Sequence, residues 1–147
     1  NQSWVGLDPE TLQTPYHELK EMCQLLAPKP GMKVVDLGAG YGRLGLVLDN
    51  LYPGVKFTGF ELVKERVDEG KRVMEERSLT NSSLIQQDLT EVDFSLPHAD
   101  IYFLYDFGKI SQIRFILRQL GDVAEINNFS LVARGKGIRS LIDHEFP

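Results

Sequence analysis

Apolar residues along the chain follow two alternating patterns: short continuous runs, and longer stretches in which they recur every three or four positions. The short runs are rich in β-branched and aromatic residues, which is typical of buried strands, whereas the spaced stretches are typical of amphipathic helices. The runs predict five strands, over 32–37, 55–62, 83–89, 100–107 and 129–135. The spaced stretches predict helices over 15–26, 44–51, 64–77 and 110–120.

Proline and glycine delimit several of these elements. Thr14 is predicted to be the N-cap of the first helix, with Pro15 pre-set for its first helical position. The sequences "PKPG" and "YPG" are predicted to end the first and second helices.

Strands and helices alternate along the chain, which predicts an α/β fold with a mainly parallel, doubly wound sheet and helices on both faces. A length of 147 residues fits one domain over 1–147. Ligands of such folds bind beyond the carboxyl ends of the strands, where the strand order reverses. We therefore expect the loop after the first strand to line a site.

Composition and charge narrow the class of protein. The chain is 42% hydrophobic and 25% charged, as in globular proteins, and its formal net charge of -5 makes nucleic acid an unexpected partner. No apolar run is long enough for a membrane span and no leader is visible, so we expect a cytoplasmic location. The single cysteine, Cys23, is predicted to be a core thiol, and the three histidines lack metal-ligand spacing, so no metal is expected.

The loop after the first strand carries the chemistry. In "VVDLGAGYG", Gly38, Gly40 and Gly42 permit positive φ and let backbone N–H groups approach a ligand. The spacing is G-x-G-x-G, because Arg43 stands where a dinucleotide-binding loop requires its third glycine. Asp36 would oppose a pyrophosphate at the following helix N-terminus and would favour a cationic ligand. A tight turn without any ligand is the alternative.

These residues resemble motif I of the class I, seven-strand, Rossmann-like methyltransferases that use S-adenosylmethionine. "FTGFEL", "IQQDL" and "IYFLYDF" resemble the following motifs in the expected order. The resemblance implies a sheet of order 3-2-1-4-5, S-adenosylmethionine as cofactor, ribose binding by Glu61, and adenine binding by Asp88 and Leu89. The implied cofactor-binding residues are Asp36, Gly38, Ala39, Gly40, Tyr41, Glu61, Leu62, Asp88, Leu89 and Tyr16.

The segment before the first strand, the glycine loop and the last residues of the chain add expectations to this resemblance. "TPYHEL" and "GYGRL" resemble segments of seven-strand protein lysine methyltransferases, which favours protein lysine over a small molecule as the methyl acceptor. Tyr16 in that segment is either a cofactor contact or a core residue of its helix. We expect a loose segment over 1–13 and a tail over 135–147, the latter too short for the usual last helix and final hairpin of the class.

The expected activity is in-line transfer of a methyl group to a nitrogen or oxygen nucleophile. At the end of the fourth strand, Asp106 is the candidate general base and Tyr105 a polar clamp for the acceptor. Two other functions stay open. One is a dinucleotide-binding oxidoreductase domain, and the other is a non-catalytic module that binds the cofactor and lacks an acceptor pocket.

Overall fold

Helices and strands alternate in the protein, whose structure is a computed structural model that describes residues 13–146. The predicted loose segment over 1–13 thus lies, except for its last residue, outside the described residues. The strands are β1 (Lys33–Leu37), β2 (Lys56–Glu61), β3 (Ser82–Gln86), β4 (Ile101–Tyr105) and β5 (Ser130–Arg134). The helices are α1 (Tyr16–Leu26), α2 (Arg43–Leu51), α3 (Lys64–Glu76), α4 (Ile110–Ala124) and α5 (Lys136–Glu145).

The five strands form one parallel sheet in the order β3-β2-β1-β4-β5. The chain runs outward from β1 to β3 and then returns to the other side of β1 through β4. At the carboxyl end of β1, Leu37 pairs with Phe60 of β2 on one side and with Leu104 of β4 on the other. The strand order therefore reverses between β1 and β4, which confirms the predicted Rossmann-like fold and places the crevice at this end of the sheet.

Each face of the sheet has its own apolar core, because successive strand residues point to opposite faces. Val34 packs into a core formed with α1, α2 and α3, whereas Val35 and Leu37 pack into a core formed with α4 and α5. Both faces of β1 are thus covered, which accounts for its continuous apolar run.

The connection from β3 to β4, residues 87–100, contains no helix. Phe94 and Leu96 of this segment are buried against the same core as α4. The side chain of Gln119 in α4 accepts a hydrogen bond from the Leu96 N–H and donates one to the Phe94 carbonyl. These two bonds attach the connection to α4 and pair two of its backbone groups.

Several predicted bounds differ from the structure. The third strand ends at Gln86 and not at residue 89, and α4 continues to Ala124 beyond the predicted end at residue 120. The N-cap of α1 is Pro15 and not Thr14, and no side chain caps this helix. The segment 135–147, expected to be a tail, contains α5. Its helical period comes from Ile138 and Leu141, which are buried against α4, so that ten residues suffice for the helix.

Cys23 lies in the core between α1 and the sheet, as predicted. Burial raises the pKa of its thiol to about 11. None of the helices between residues 13 and 146 has the length and apolar character needed to cross a membrane.

Candidate functional site

A cavity of about 630 Å³ opens at the carboxyl ends of β1, β2 and β4. Its volume lies within the range of roughly 300–1,000 Å³ that is usual for small-molecule sites. The structure brings most of the predicted site residues to its wall: Asp36, Gly38, Ala39, Gly40, Tyr41, Glu61, Leu62, Asp88, Leu89, Tyr105 and Asp106.

The glycine loop forms one wall of the cavity. Gly38 and Gly40 have φ of 91° and 58°, and an added Cβ at either would meet no atom within 4 Å. A side chain there would therefore project into open space at the cavity wall. The N–H groups of Gly38 and Ala39 both donate to the Phe60 carbonyl (2.9 Å), which fixes the loop on β2.

Glu61 ends β2 and is only 6% exposed. Its Oε2 accepts a hydrogen bond from the N–H of Gly40 and its Oε1 accepts one from the N–H of Val63, both at 2.9 Å. The Arg66 guanidinium lies 3.5 Å from Oε1. These partners hold a buried carboxylate at the junction of β2 and the glycine loop, and each oxygen keeps a lone pair for a further donor.

Asp36 lies at the mouth of the glycine loop, on the same face of the sheet as α1. Burial raises the pKa of its carboxyl to about 7, and the negative charge of Glu61 adds to this rise. No donor within the described residues offsets these two effects. A ligand that brings positive charge into the cavity would therefore favour the ionised form of Asp36.

Asp88 follows β3 and forms a tight turn. Its Oδ1 accepts hydrogen bonds from the N–H and the hydroxyl of Thr90, at 2.8 and 2.6 Å. Both hydrogen bonds lower the pKa of the Asp88 carboxyl, and the bond from the Thr90 hydroxyl has the larger effect. Oδ2 is not used by this turn and remains an acceptor beside the buried side chain of Leu89.

Tyr105 and Asp106, at the end of β4, are held in different ways. The Tyr105 hydroxyl lies 3.4 Å from Met22 Sδ, and burial raises its pKa, an effect that the neighbouring Thr14 side chain partly offsets. The Asp106 carboxylate accepts hydrogen bonds from the first turn of α5, from Gly137 N–H at 3.1 Å and from Ile138 N–H at 2.9 Å. Asp106 thus caps α5 while it lines the cavity.

Tyr16 does not line this cavity. Its side chain is 44% exposed, which is also inconsistent with the predicted core position, and the Arg43 guanidinium lies 5.1 Å from the centre of its ring. Tyr16 therefore lies on the exposed face of α1, where its ring contacts Arg43.

Sequence reasoning missed several residues of the cavity wall, among them Gln13, Thr14, Arg66, Phe107 and Gln112. Arg66 had a usable signal. A basic residue in the first turn of a helix opposes the helix dipole, which indicates a nearby carboxylate, here Glu61. Gln13 has no pattern of its own, and the pattern at Thr14 predicts a helix N-cap but no cavity contact.

Comparison with known proteins agrees with the fold. A family model described as a methyltransferase domain matches residues 28–127. Ribosomal RNA small subunit methyltransferase G of Carboxydothermus hydrogenoformans is 22% identical over 107 residues, which is 73% of this chain and 46% of that protein. The chain thus spans about half the length of this curated relative.

Solved structures show the same architecture. An RNA methyltransferase from Salinibacter ruber in complex with S-adenosyl-L-homocysteine superposes with a TM-score of 0.61 and 25% identity, covering 72% of this chain and 69% of that one. The YcgJ protein of Bacillus subtilis superposes with a TM-score of 0.60 and 22% identity, over 71% of this chain and 46% of that one. Since the family model matches more than half of its length, the chain belongs to the methyltransferase domain family.

Proposed function

We propose that the chain is an S-adenosylmethionine-dependent methyltransferase whose cofactor occupies the cavity at the carboxyl end of the sheet. The observation that carries the proposal is that three acidic residues from successive strand ends, Asp36, Glu61 and Asp88, line one cavity beside a bare glycine loop. Membership of the methyltransferase domain family supports it further.

The residues fit such a cofactor chemically. Each oxygen of Glu61 accepts one backbone N–H bond, and its second lone pair, which on Oε1 lies 3.5 Å from the Arg66 guanidinium, suits a hydroxyl of a ribose. Asp88 offers Oδ2 to an exocyclic amine, with Leu89 beside it as an apolar contact for a ring. Asp36 offers a carboxylate to an ammonium group, and Gly38 and Gly40 leave the space at the wall open.

The bound cofactor would supply an electrophilic methyl group, so the protein's task is to orient the acceptor and exclude water. The proposed contact of Tyr105 with the acceptor is that of a neutral phenol, because burial raises its pKa. Asp106 keeps lone pairs beyond the two that receive N–H groups of α5. A proton taken from an acceptor on one of these lone pairs would remove the negative charge that stabilises the first turn of α5.

The proposed acceptor is a nitrogen or oxygen nucleophile. The "TPYHEL" segment supports protein lysine, whereas the name of the curated relative supports a test with ribosomal RNA. An acceptor panel should therefore contain proteins and RNA from the same lysate, with methyl transfer followed by radiolabel. Label in the protein fraction that survives nuclease, or label that nuclease removes, distinguishes the two classes.

Calorimetric titration with S-adenosylmethionine and S-adenosylhomocysteine tests the cofactor site. We expect micromolar binding that Glu61→Ala weakens at least about tenfold, because a buried hydrogen-bonded diol would lose its acceptors. Glu65→Ala is the matched control, since Glu65 is exposed in the first turn of α3 and does not line the cavity. Binding of a nicotinamide dinucleotide in place of both compounds would overturn the proposal in favour of the oxidoreductase alternative.

A further inference from the structure

We infer that the ion pair between Glu18 and Arg134 is a positioning pair that holds the start of α1 against the cavity. Glu18 lies in the first turn of α1, and Arg134 is the last residue of β5. Neither lines the cavity, so the pair acts through the residues that it positions. In naming the cofactor as the ligand concerned, the inference rests on the proposed function.

Arg134 connects three elements at the carboxyl end of the sheet. Its Nη1 donates to Oε2 of Glu18, and its guanidinium lies 5.9 Å from the centre of the Tyr105 ring. Its backbone carbonyl accepts a hydrogen bond from the Asp106 N–H at 3.0 Å. One residue at the end of β5 thus connects α1 with the end of β4.

Among the described residues, the start of α1 is also attached through the buried side chain of Leu19 and through a contact between the Thr14 side chain and the Tyr105 hydroxyl, neither of which reaches β5. The N-cap is Pro15, and no side chain caps the helix, so capping does not fix the first turn. Tyr16 contacts Arg43, but its side chain is largely exposed to solvent. Toward β5, the described attachment of this turn is the Glu18–Arg134 pair.

The residues held in place by this turn are polar and belong to the cavity. Gln13 and Thr14, immediately before α1, line it together with Leu19. Oε1 of Gln13 is buried and has no hydrogen-bond partner among the described residues. A buried carbonyl oxygen without a donor is unfavourable, and a ligand N–H at this wall would satisfy it.

The exposure of the pair indicates which property it affects. The side chains of Glu18 and Arg134 are 30% and 49% exposed, and ion pairs of this kind contribute little to global stability. A weak pair can still shift a local equilibrium between an attached and a detached first turn. Ligand affinity falls in proportion when the attached, binding-competent population falls.

Arg134→Gln tests the inference, with Arg114→Gln as its matched control. Arg114 pairs with Glu145 at similar exposure, 33% and 40%, and neither residue lines the cavity. We expect Arg134→Gln to raise the Kd of S-adenosylhomocysteine about three- to fivefold, mainly through faster dissociation, and Arg114→Gln to leave it unchanged. Both substitutions should shift the urea midpoint by a similar small amount.

A double-mutant cycle in Kd with Glu18→Gln should show coupling between the two side chains. Equal Kd values for Arg134→Gln and Arg114→Gln, or strictly additive effects in the cycle, would overturn the inference.

Hydrogen exchange of the ligand-free protein tests, independently of the cofactor, whether the Glu18–Arg134 pair holds the start of α1 in place. Arg134→Gln should accelerate amide exchange in the first half of α1, and Arg114→Gln should not. If the wild-type chain binds no S-adenosylhomocysteine, the proposed function fails while the exchange result still judges the pair. Unchanged exchange in α1 would show that the pair holds nothing in place.

Discussion

Replacing Asp36 with asparagine should stabilise the fold at alkaline pH while it weakens the cofactor site. Burial and the nearby Glu61 raise the pKa of Asp36 from 3.8 to about 7. At about 1.4 kcal/mol for each pKa unit, ionisation of this group costs the folded state up to about 4 kcal/mol at pH 8. Asp36 lines an open cavity, and solvent screening there lowers this cost, so we expect a gain of about 2–4 kcal/mol for Asp36→Asn.

The sign of the pH dependence follows from the raised pKa. Below pH 7 the folded state binds a proton on Asp36 that the unfolded state binds only near pH 4. The stabilisation by Asp36→Asn should therefore be largest at pH 8, shrink as the pH falls through 7, and vanish near pH 4. Urea unfolding of both proteins at pH 8, 6.5 and 5 measures this difference directly.

Asp88→Asn is the contrasting control, because the Thr90 hydroxyl and N–H lower the pKa of Asp88. We expect that substitution to destabilise the fold at pH 8. Equal or lower stability of Asp36→Asn at pH 8, or a gain that is the same at pH 8 and pH 5, would refute the reasoning. At pH 8 the variant should also bind S-adenosylmethionine less tightly than the wild type, as calorimetry would show.

Four further substitutions have defined outcomes. Glu61→Gln replaces one acceptor oxygen by a donor. It should lower the free energy of unfolding, measured in urea, by about 1.5–3 kcal/mol, and should weaken cofactor binding, measured by calorimetry, about tenfold. Gly42 has φ of 76°, and an added Cβ would lie 2.6 Å from Met74 Cε, so Gly42→Ala should destabilise the fold by about 1–3 kcal/mol. At Gly121 in α4 an added Cβ would meet nothing within 4 Å, so Gly121→Ala should stabilise the fold by about 0.5–1 kcal/mol. Because the Asp106 carboxylate caps α5, Asp106→Asn should lower the free energy of unfolding by about 1–2 kcal/mol and slow methyl transfer less than about tenfold. A rate of methyl transfer that falls about 100-fold or more, with normal folding, would instead identify Asp106 as a general base.

The sheet could be predicted from the sequence because its strands are buried on both faces. The continuous apolar runs of β1 and β4 have that origin, and their order follows from the resemblance to a known class. Helix α5 could not be predicted in the same way. Its two buried residues, Ile138 and Leu141, form too short a pattern to be distinguished from a tail without the core that they contact.

The candidate site could be predicted where residues lie at strand ends, as for Asp36, Glu61 and Asp88. The topology of a parallel sheet brings such positions together at one edge. The contribution of Gln13 and the capping contacts of Asp106 depend on how α1 and α5 pack against the sheet. Packing of this kind joins residues far apart in the sequence and has no local period.

The single thiol of Cys23 gives the protein a useful property for spectroscopy. It is buried and its pKa is about 11, so almost no thiolate forms near neutral pH. The native chain should therefore resist air oxidation and should not react with maleimide dyes. A cysteine introduced at an exposed position, such as Val92, would then be the one group that accepts a dye, and a fluorophore could be attached there without removal of the natural thiol.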